Sequence, residues 1–106
     1  MTLCVDGGRF RVAVDWQQTP LTPPLSAQAV PLTDDTGYFW FFGSANIELV
    51  VKVLDGRADN GHFWVFYGAL SDVQYTITVM DTQTGAVKTY TNPSGTLASV
   101  ADTSVF

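Results

Sequence analysis

The only histidine of the chain, His62, is the first candidate for acid–base or nucleophilic chemistry. It follows Asn60-Gly61 and stands near Asp55 and Asp59 in the sequence. A serine hydrolase would need a serine positioned beside this histidine. The serines, at positions 26, 44, 71, 94, 99 and 104, lie in predicted loops or in the C-terminal tail. None of them has the Gly-x-Ser-x-Gly frame of a nucleophile elbow. We therefore predict that His62 is a solvated or hydrogen-bonded residue at the end of a strand.

Paired carboxylates are the second candidate, because a glycosidase-like reaction needs two acids that face each other across a cleft. Asp34, Asp35, Asp55 and Asp59 could be brought together by the fold. Each of them also lies in a turn-like sequence, where a short carboxylate bonds nearby backbone N–H groups. The run 55–61 does not have the ligand spacing of an EF-hand calcium loop. The sequence therefore predicts no catalytic residue, no metal site and no cofactor.

The single cysteine and the net charge exclude further classes of site and partner. Cys4 has no second cysteine with which to form an intramolecular disulfide or a cysteine-based zinc site. Five basic residues against ten acidic ones give a net charge of −5, which disfavours nucleic acid and anionic membranes as partners. No apolar run approaches the length of a membrane span, and no basic segment followed by an apolar stretch marks a signal peptide.

The elements that must position these residues are predicted to be β-strands. Residues 9–16, 47–54 and 73–80 alternate apolar and polar side chains, as half-buried strands do. The last of them continues through a turn into 86–91, which predicts a hairpin. In 47–54 the inward set begins at Ile47. Across the three strands, the residues predicted to face the core are Phe10, Val12, Val14, Leu49, Val51, Val53, Tyr75, Ile77 and Val79.

The remaining segments complete a small all-β domain. Residues 17–27 hold three prolines and are predicted to be a long loop, because each proline removes a ladder donor. Residues 28–32, 38–42 and 62–67 are predicted to be extended, whereas 96–106 has no clear period. About seven strands with turns between them predict an antiparallel two-sheet β-sandwich, immunoglobulin- or fibronectin-like in the broad sense, in one domain spanning 1–106.

Two of these strands are aromatic on both faces, which is unusual for a sandwich strand that buries only one. In 38–42, Tyr38, Trp40 and Phe42 alternate with Phe39 and Phe41. The second face must be covered by the proline-rich loop or the tail, or it forms an exposed aromatic patch that binds a partner. The residues of this hypothetical binding patch are Phe39, Trp40, Phe41, Trp64 and Phe66.

Several stretches resemble a module found in predicted secreted or surface proteins of environmental bacteria. They are Leu3-Cys4, 8–12, 30–33, Gly37-Tyr38-Phe39-Trp40-Phe41-Phe42, 48–55 and Asn60-Gly61-His62-Phe63-Trp64-Val65-Phe66. The resemblance covers about residues 3 to 103. It implies a secreted or cell-surface location and a modular context, and it implies no activity, cofactor or catalytic residue. Some members have a second cysteine at the position of Arg57 that would pair with Cys4, and this chain lacks that partner.

The sequence therefore predicts a non-enzymatic extracellular binding or spacer module. Its partner could be a protein, a glycan or a second copy of the chain, bound through the aromatic surface. One alternative is a protease inhibitor that presents a rigid loop at 17–27 or 55–61. Another is a carbohydrate-binding module that uses Trp40 or Trp64. Protease inhibition assays and a glycan array separate these alternatives from the first prediction.

Overall fold

The computed structural model describes residues 2–19 and 21–106. These residues contain ten β-strands and one helical turn. Met1 and Pro20, which belong to the predicted domain and the predicted loop 17–27, lie outside the described residues. The elements are β1 (Thr2–Val5), β2 (Phe10–Gln17), β3 (Leu25–Ser26), β4 (Gln28–Pro31), β5 (Thr36–Trp40), β6 (Leu49–Gly56), α1 (Arg57–Asn60), β7 (His62–Ala69), β8 (Gln74–Asp81), β9 (Val87–Asn92) and β10 (Ser99–Asp102).

The strands make two antiparallel sheets that pack together, so the predicted all-β sandwich is confirmed. In the first sheet the order is β1-β2-β8-β9, with β3 also paired to β2. In the second sheet it is β10-β7-β6-β5-β4, in which four consecutive strands form a meander. The described residues form ten strands, so the prediction of about seven was too low. The strands that the sequence did not reveal are short: β1, β3 and β10.

The core lies between the sheets and is built by the predicted alternation. All nine residues predicted to face it are at most 1% exposed. Arg11 and Lys52 point outward on the same strands. Phe10 of the first sheet meets Phe63 of the second with ring centroids 4.7 Å apart in an edge-to-face arrangement, which is favourable for aromatic pairs.

The inward prediction for Ile47 is wrong, because the strand begins only at Leu49. Ile47 is exposed, and Glu48 is buried instead. The Glu48 N–H donates a hydrogen bond to the Phe39 carbonyl, and the Glu48 carbonyl accepts one from the Leu70 N–H. Its carboxylate accepts a 2.6 Å hydrogen bond from the Asn46 amide. The alternation therefore does not extend to the residues that precede the ladder.

The proline-rich loop 17–27 and the tail 96–106, which were expected to cover an aromatic face, each contribute a short strand to a sheet instead. Within the predicted loop 17–27, Leu25–Ser26 pair with β2 in the first sheet. In the tail, β10 pairs with β7 and extends the second sheet at its edge. Beyond it, Phe106 packs against the core, with its ring 5.4 Å from Phe10. Both paired segments lie in the plane of a sheet and not over the outer face of the second sheet.

Candidate binding face

The outer faces of the two sheets differ sharply in chemistry. On the first sheet, the outward residues of β2, β8 and β9 are mostly polar or charged. These polar residues are Arg11, Asp15, Gln17, Gln74, Thr76, Thr78, Thr89 and Thr91, and the apolar exceptions are Ala13, Met80 and Val87. Directly opposed residues of antiparallel strands share a face, so the register also defines the outer face of the second sheet. We call its apolar members the aromatic face: Val30, Tyr38, Trp40, Val50, Leu54, Trp64, Phe66 and Ala101.

The indole of Trp64 is fixed on this face by its two neighbours on the sheet and helical turn. It lies against Gly56, the residue just before α1, so closely that a Cβ added at Gly56 would overlap the ring. The Trp64 Nε1–H donates a 2.9 Å hydrogen bond to the Asn60 side-chain oxygen. The Asn60 amide in turn donates to the Thr103 carbonyl at 2.8 Å. The position of the indole is therefore fixed before any partner binds.

Phe66 separates Trp64 from a groove on the same face. The two rings are 6.3 Å apart and nearly perpendicular, at 81°. On the other side of Phe66, a groove of about 490 Å³ opens above Gly68, the cross-strand partner of Val50 and Ser99. We call it the Gly68 groove, and the side chains that line it are those of Thr36, Val50, Lys52, Phe66, Ser99 and Ala101. Lys52 is the only charged residue of this lining.

Only part of the predicted binding patch lies at the surface. Trp40, Trp64 and Phe66 are half-buried on the outer face. Phe39 is fully buried and Phe41 is 6% exposed, so these two residues belong to the core and not to a binding surface. Phe41 stacks on Trp16 with centroids 5.4 Å apart. The sequence could not make this choice, because both faces of the strand are aromatic.

Other residues of the aromatic face were not assigned to it from the sequence. Tyr38 shares its face with Trp40 by simple alternation. Val50 and Leu54 fall on the outward set of a strand whose inward set was correctly identified from Leu49 onward. Apolar residues at these outward positions were the available signal. Gly68 carried no signal, because its place in the groove follows from the pairing of β7 with β6 and β10.

The candidate catalytic groups are held by structural bonds. His62 is half-buried, and its Nδ1 lies 3.3 Å from the Phe106 carbonyl oxygen. The Arg57 guanidinium bonds Asp55 at 2.7 Å and, chiefly through this hydrogen bonding, lowers the pKa of that carboxyl to about 2. Among the described residues, no group of three or more His, Cys, Asp or Glu side chains is placed to hold a metal ion. Cys4 is exposed on β1.

The predicted turn carboxylates bond nearby backbone and hydroxyl groups, as turn chemistry requires. Asp34 accepts the Gly7 N–H at 3.1 Å. Asp35 accepts the hydroxyls of Thr33 and Thr36, and the bond from Thr36 is the main cause of its lowered pKa. Asp59 is exposed in α1. The bond from Gly7 to Asp34 joins the turn after β1 to the turn after β4.

Asp6 was not singled out by its sequence, yet it is the most unusual carboxyl of the chain. Its φ of 54° places it in the left-handed region, which an aspartate tolerates better than most residues. Its N–H donates to the Asp34 carbonyl at 2.7 Å, and its buried Oδ2 has no hydrogen-bond partner among the described residues. Burial, followed by the negative charges of Asp34, Asp35 and Asp55, raises the pKa of Asp6 to about 6.

Comparison with protein-family models, curated proteins and solved structures gives no match to this chain. Within residues 2–19 and 21–106, no helix has the length and apolar character needed to cross a bilayer. The likeness to a module of secreted bacterial proteins therefore stays a prediction.

Proposed function

We propose that this domain is a non-enzymatic extracellular binding module that contacts its partner through the aromatic face. The observation that carries the proposal is the contrast between the two outer faces of one sandwich. A sheet whose outer face only meets water is expected to carry polar side chains there, as the first sheet does. The second sheet carries two tryptophans, a tyrosine and a phenylalanine at outward positions. Contiguous apolar surface of this kind on a small domain is typical of a binding site.

The position of Trp64 further supports a binding role. Binding is weakened when side chains must be immobilised on association, so residues that are already fixed favour affinity. The Trp64 indole is held in advance by Gly56 and by its hydrogen bond to Asn60. The secreted or cell-surface location and the broad likeness to immunoglobulin and fibronectin modules are part of the same proposal. A spacer domain would need neither the aromatic face nor a fixed indole.

Carbohydrate binding is a second candidate, favoured by the fixed position of one tryptophan. The Trp64 indole lies against Gly56 and is half-buried, so part of the ring remains at the surface. A flat indole face on a sheet surface can stack on the apolar face of a sugar ring, with Asn60 at its rim. A glycan array probed with the wild type and with Trp64→Ala tests this candidate. The inhibitor alternative is tested by a panel of proteases.

The proposed function is tested by mapping where small apolar probes bind. Amide chemical shifts of the whole chain are followed while phenol is titrated into the protein. We expect the perturbed amides to cluster on β5, β6 and β7, and to lose this clustering in Phe66→Ser. Thr76→Ser on the outer face of the first sheet is the control and should leave the pattern unchanged. Perturbations spread equally over both sheets would overturn the proposal.

A further inference from the structure

We propose that the Gly68 groove binds a small apolar carboxylate, with the Lys52 ammonium as its anion-binding group. The inference rests on the proposed function, because the groove is part of the same outer face, and it adds the chemical class of the ligand. The ligand would lay a planar or aliphatic body between Phe66 and Val50 and direct its carboxylate toward Lys52.

The groove has the size and lining of a small-molecule site. Its volume of about 490 Å³ falls within the ~300–1,000 Å³ of known ligand pockets. Gly68 supplies a floor without a side chain, and a Cβ placed there would meet only the Ser99 hydroxyl, at 3.4 Å. Val50, Phe66 and Ala101 offer apolar walls. An apolar body of a few carbon rings or a short chain would thus bury surface that water now covers.

Lys52 gives the groove its charge preference. It is the only charged side chain of the lining, in a chain whose net charge is −5, and it makes no ion pair among the described residues. Asp35 is near enough for Lys52 to contribute to lowering its pKa, but the Asp35 carboxylate takes its hydrogen bonds from the Thr33 and Thr36 hydroxyls. The Lys52 ammonium therefore lies beside apolar walls and is available to pair with the anionic group of a ligand.

A second copy of the chain fits this face less well than a small ligand. Lys52 lies near the middle of β6, the central strand of the second sheet. Pairing of this face about a two-fold axis through its centre would therefore bring two lysines together.

The test compares a carboxylate with its neutral analogue. Naphthalene-2-carboxylate and naphthalene-2-carboxamide are titrated separately into the full chain, and binding is followed by amide chemical shifts. The variants are Lys52→Met, which removes the charge and keeps the apolar stem, and Gly68→Val, which fills the floor with a residue suited to strands. Lys88→Met, which changes the only other lysine and lies on β9 of the first sheet, is the matched control.

We expect the carboxylate to bind in the groove about two- to fivefold more tightly than the carboxamide, the range typical of a partly exposed charge pair. In Lys52→Met this preference should vanish while the carboxamide still binds. Gly68→Val should lose both ligands, and Lys88→Met should behave as the wild type. Equal binding of the two ligands to the wild type, or shifts outside the groove, overturns the inference. If phenol still clusters on the aromatic face in that case, the proposed function stands without it.

Discussion

The Trp64 indole lies directly on Gly56, so closely that no side chain larger than hydrogen fits between ring and backbone. The φ of Gly56 is −96°, which any residue adopts, so the requirement for glycine here is steric and not conformational. Gly56→Ala should therefore displace the indole and cost ~1–3 kcal/mol of unfolding free energy, as overpacking does. Urea unfolding, with tryptophan fluorescence as a second probe, measures both effects.

Gly68→Ala is the control for this substitution, since an added Cβ at this glycine of the same sheet would meet only the Ser99 Oγ, at an ordinary contact distance of 3.4 Å. We expect Gly68→Ala to be neutral or slightly stabilising, because alanine restricts the unfolded chain. Equal stability of the two alanine variants would mean that the contact between Trp64 and Gly56 does not constrain the sheet.

Phe39 and Trp40 are adjacent in the chain and face opposite sides of β5. Phe39 is fully buried, so Phe39→Ala should cost ~3–5 kcal/mol of unfolding free energy. Trp40 is half-buried on the aromatic face, and Trp40→Ala should cost clearly less although it removes the larger side chain. Denaturant midpoints of the two variants provide the measurement. If Trp40→Ala proves as destabilising as Phe39→Ala, the outer face is itself part of the structural core, and the binding proposal loses its basis.

The raised pKa of Asp6 predicts that part of the stability is lost as the pH rises. Aspartate in an unfolded chain titrates near 3.9, whereas Asp6 in the folded chain titrates at about 6. Between these values the folded state binds more protons than the unfolded state, so the unfolding free energy falls with increasing pH. The contribution is fully present below about pH 4 and is lost above about pH 6.

Asp6→Asn tests this dependence, because asparagine also tolerates the left-handed region and its amide does not titrate. Urea midpoints of the wild type and the variant are compared across this pH range, so that the other carboxylates cancel in the difference. We expect the variant to gain relative to the wild type as the pH rises. Parallel curves would show that Asp6 titrates alike in the folded and unfolded chain.

The sequence predicted the core best where one face of a strand is apolar and the other polar. Alternation in β2, β6 and β8 identified nine buried residues correctly. It could not decide between Phe39 and Trp40, since both neighbours are aromatic and only the pairing with β6 settles which side faces the core. The alternation also failed at Ile47, because this residue precedes Leu49, where β6 and its pairing with β7 begin.

The aromatic face was only partly predictable for a related reason. Three of its residues, Trp40, Trp64 and Phe66, were identified because they are aromatic, but the Gly68 groove forms only when β10 pairs beside β7. Residues 99–102 show no periodicity, because an edge strand of four residues is defined by its backbone partner rather than by its side chains. Sites formed by distant pairing therefore stay hidden from local patterns.

The ion pair between Arg9 and Asp81 links the start of β2 to the end of β8 and gives the last prediction. Two bonds, at 3.2 and 2.9 Å, join the guanidinium to the carboxylate, and Asp81 is almost fully buried. The guanidinium also lies 4.5 Å from the centre of the Phe63 ring. Arg9→Met keeps an apolar stem over Phe63 but leaves a buried carboxylate without its cation. We expect a cost of ~2–4 kcal/mol, most of it from that unpaired charge.

The pH dependence separates loss of the pair from loss of packing. Chiefly through its hydrogen bonds, Arg9 lowers the pKa of Asp81, so this carboxylate stabilises the fold at neutral pH and loses that effect as the pH falls through its folded-state pKa. The penalty of Arg9→Met should therefore shrink on acidification, because the orphaned carboxyl becomes protonated and no longer needs a cation. Adding Asp81→Asn to Arg9→Met should recover part of the stability at neutral pH. A penalty that is the same in acid and at neutral pH would assign the whole effect to the contact between Arg9 and Phe63.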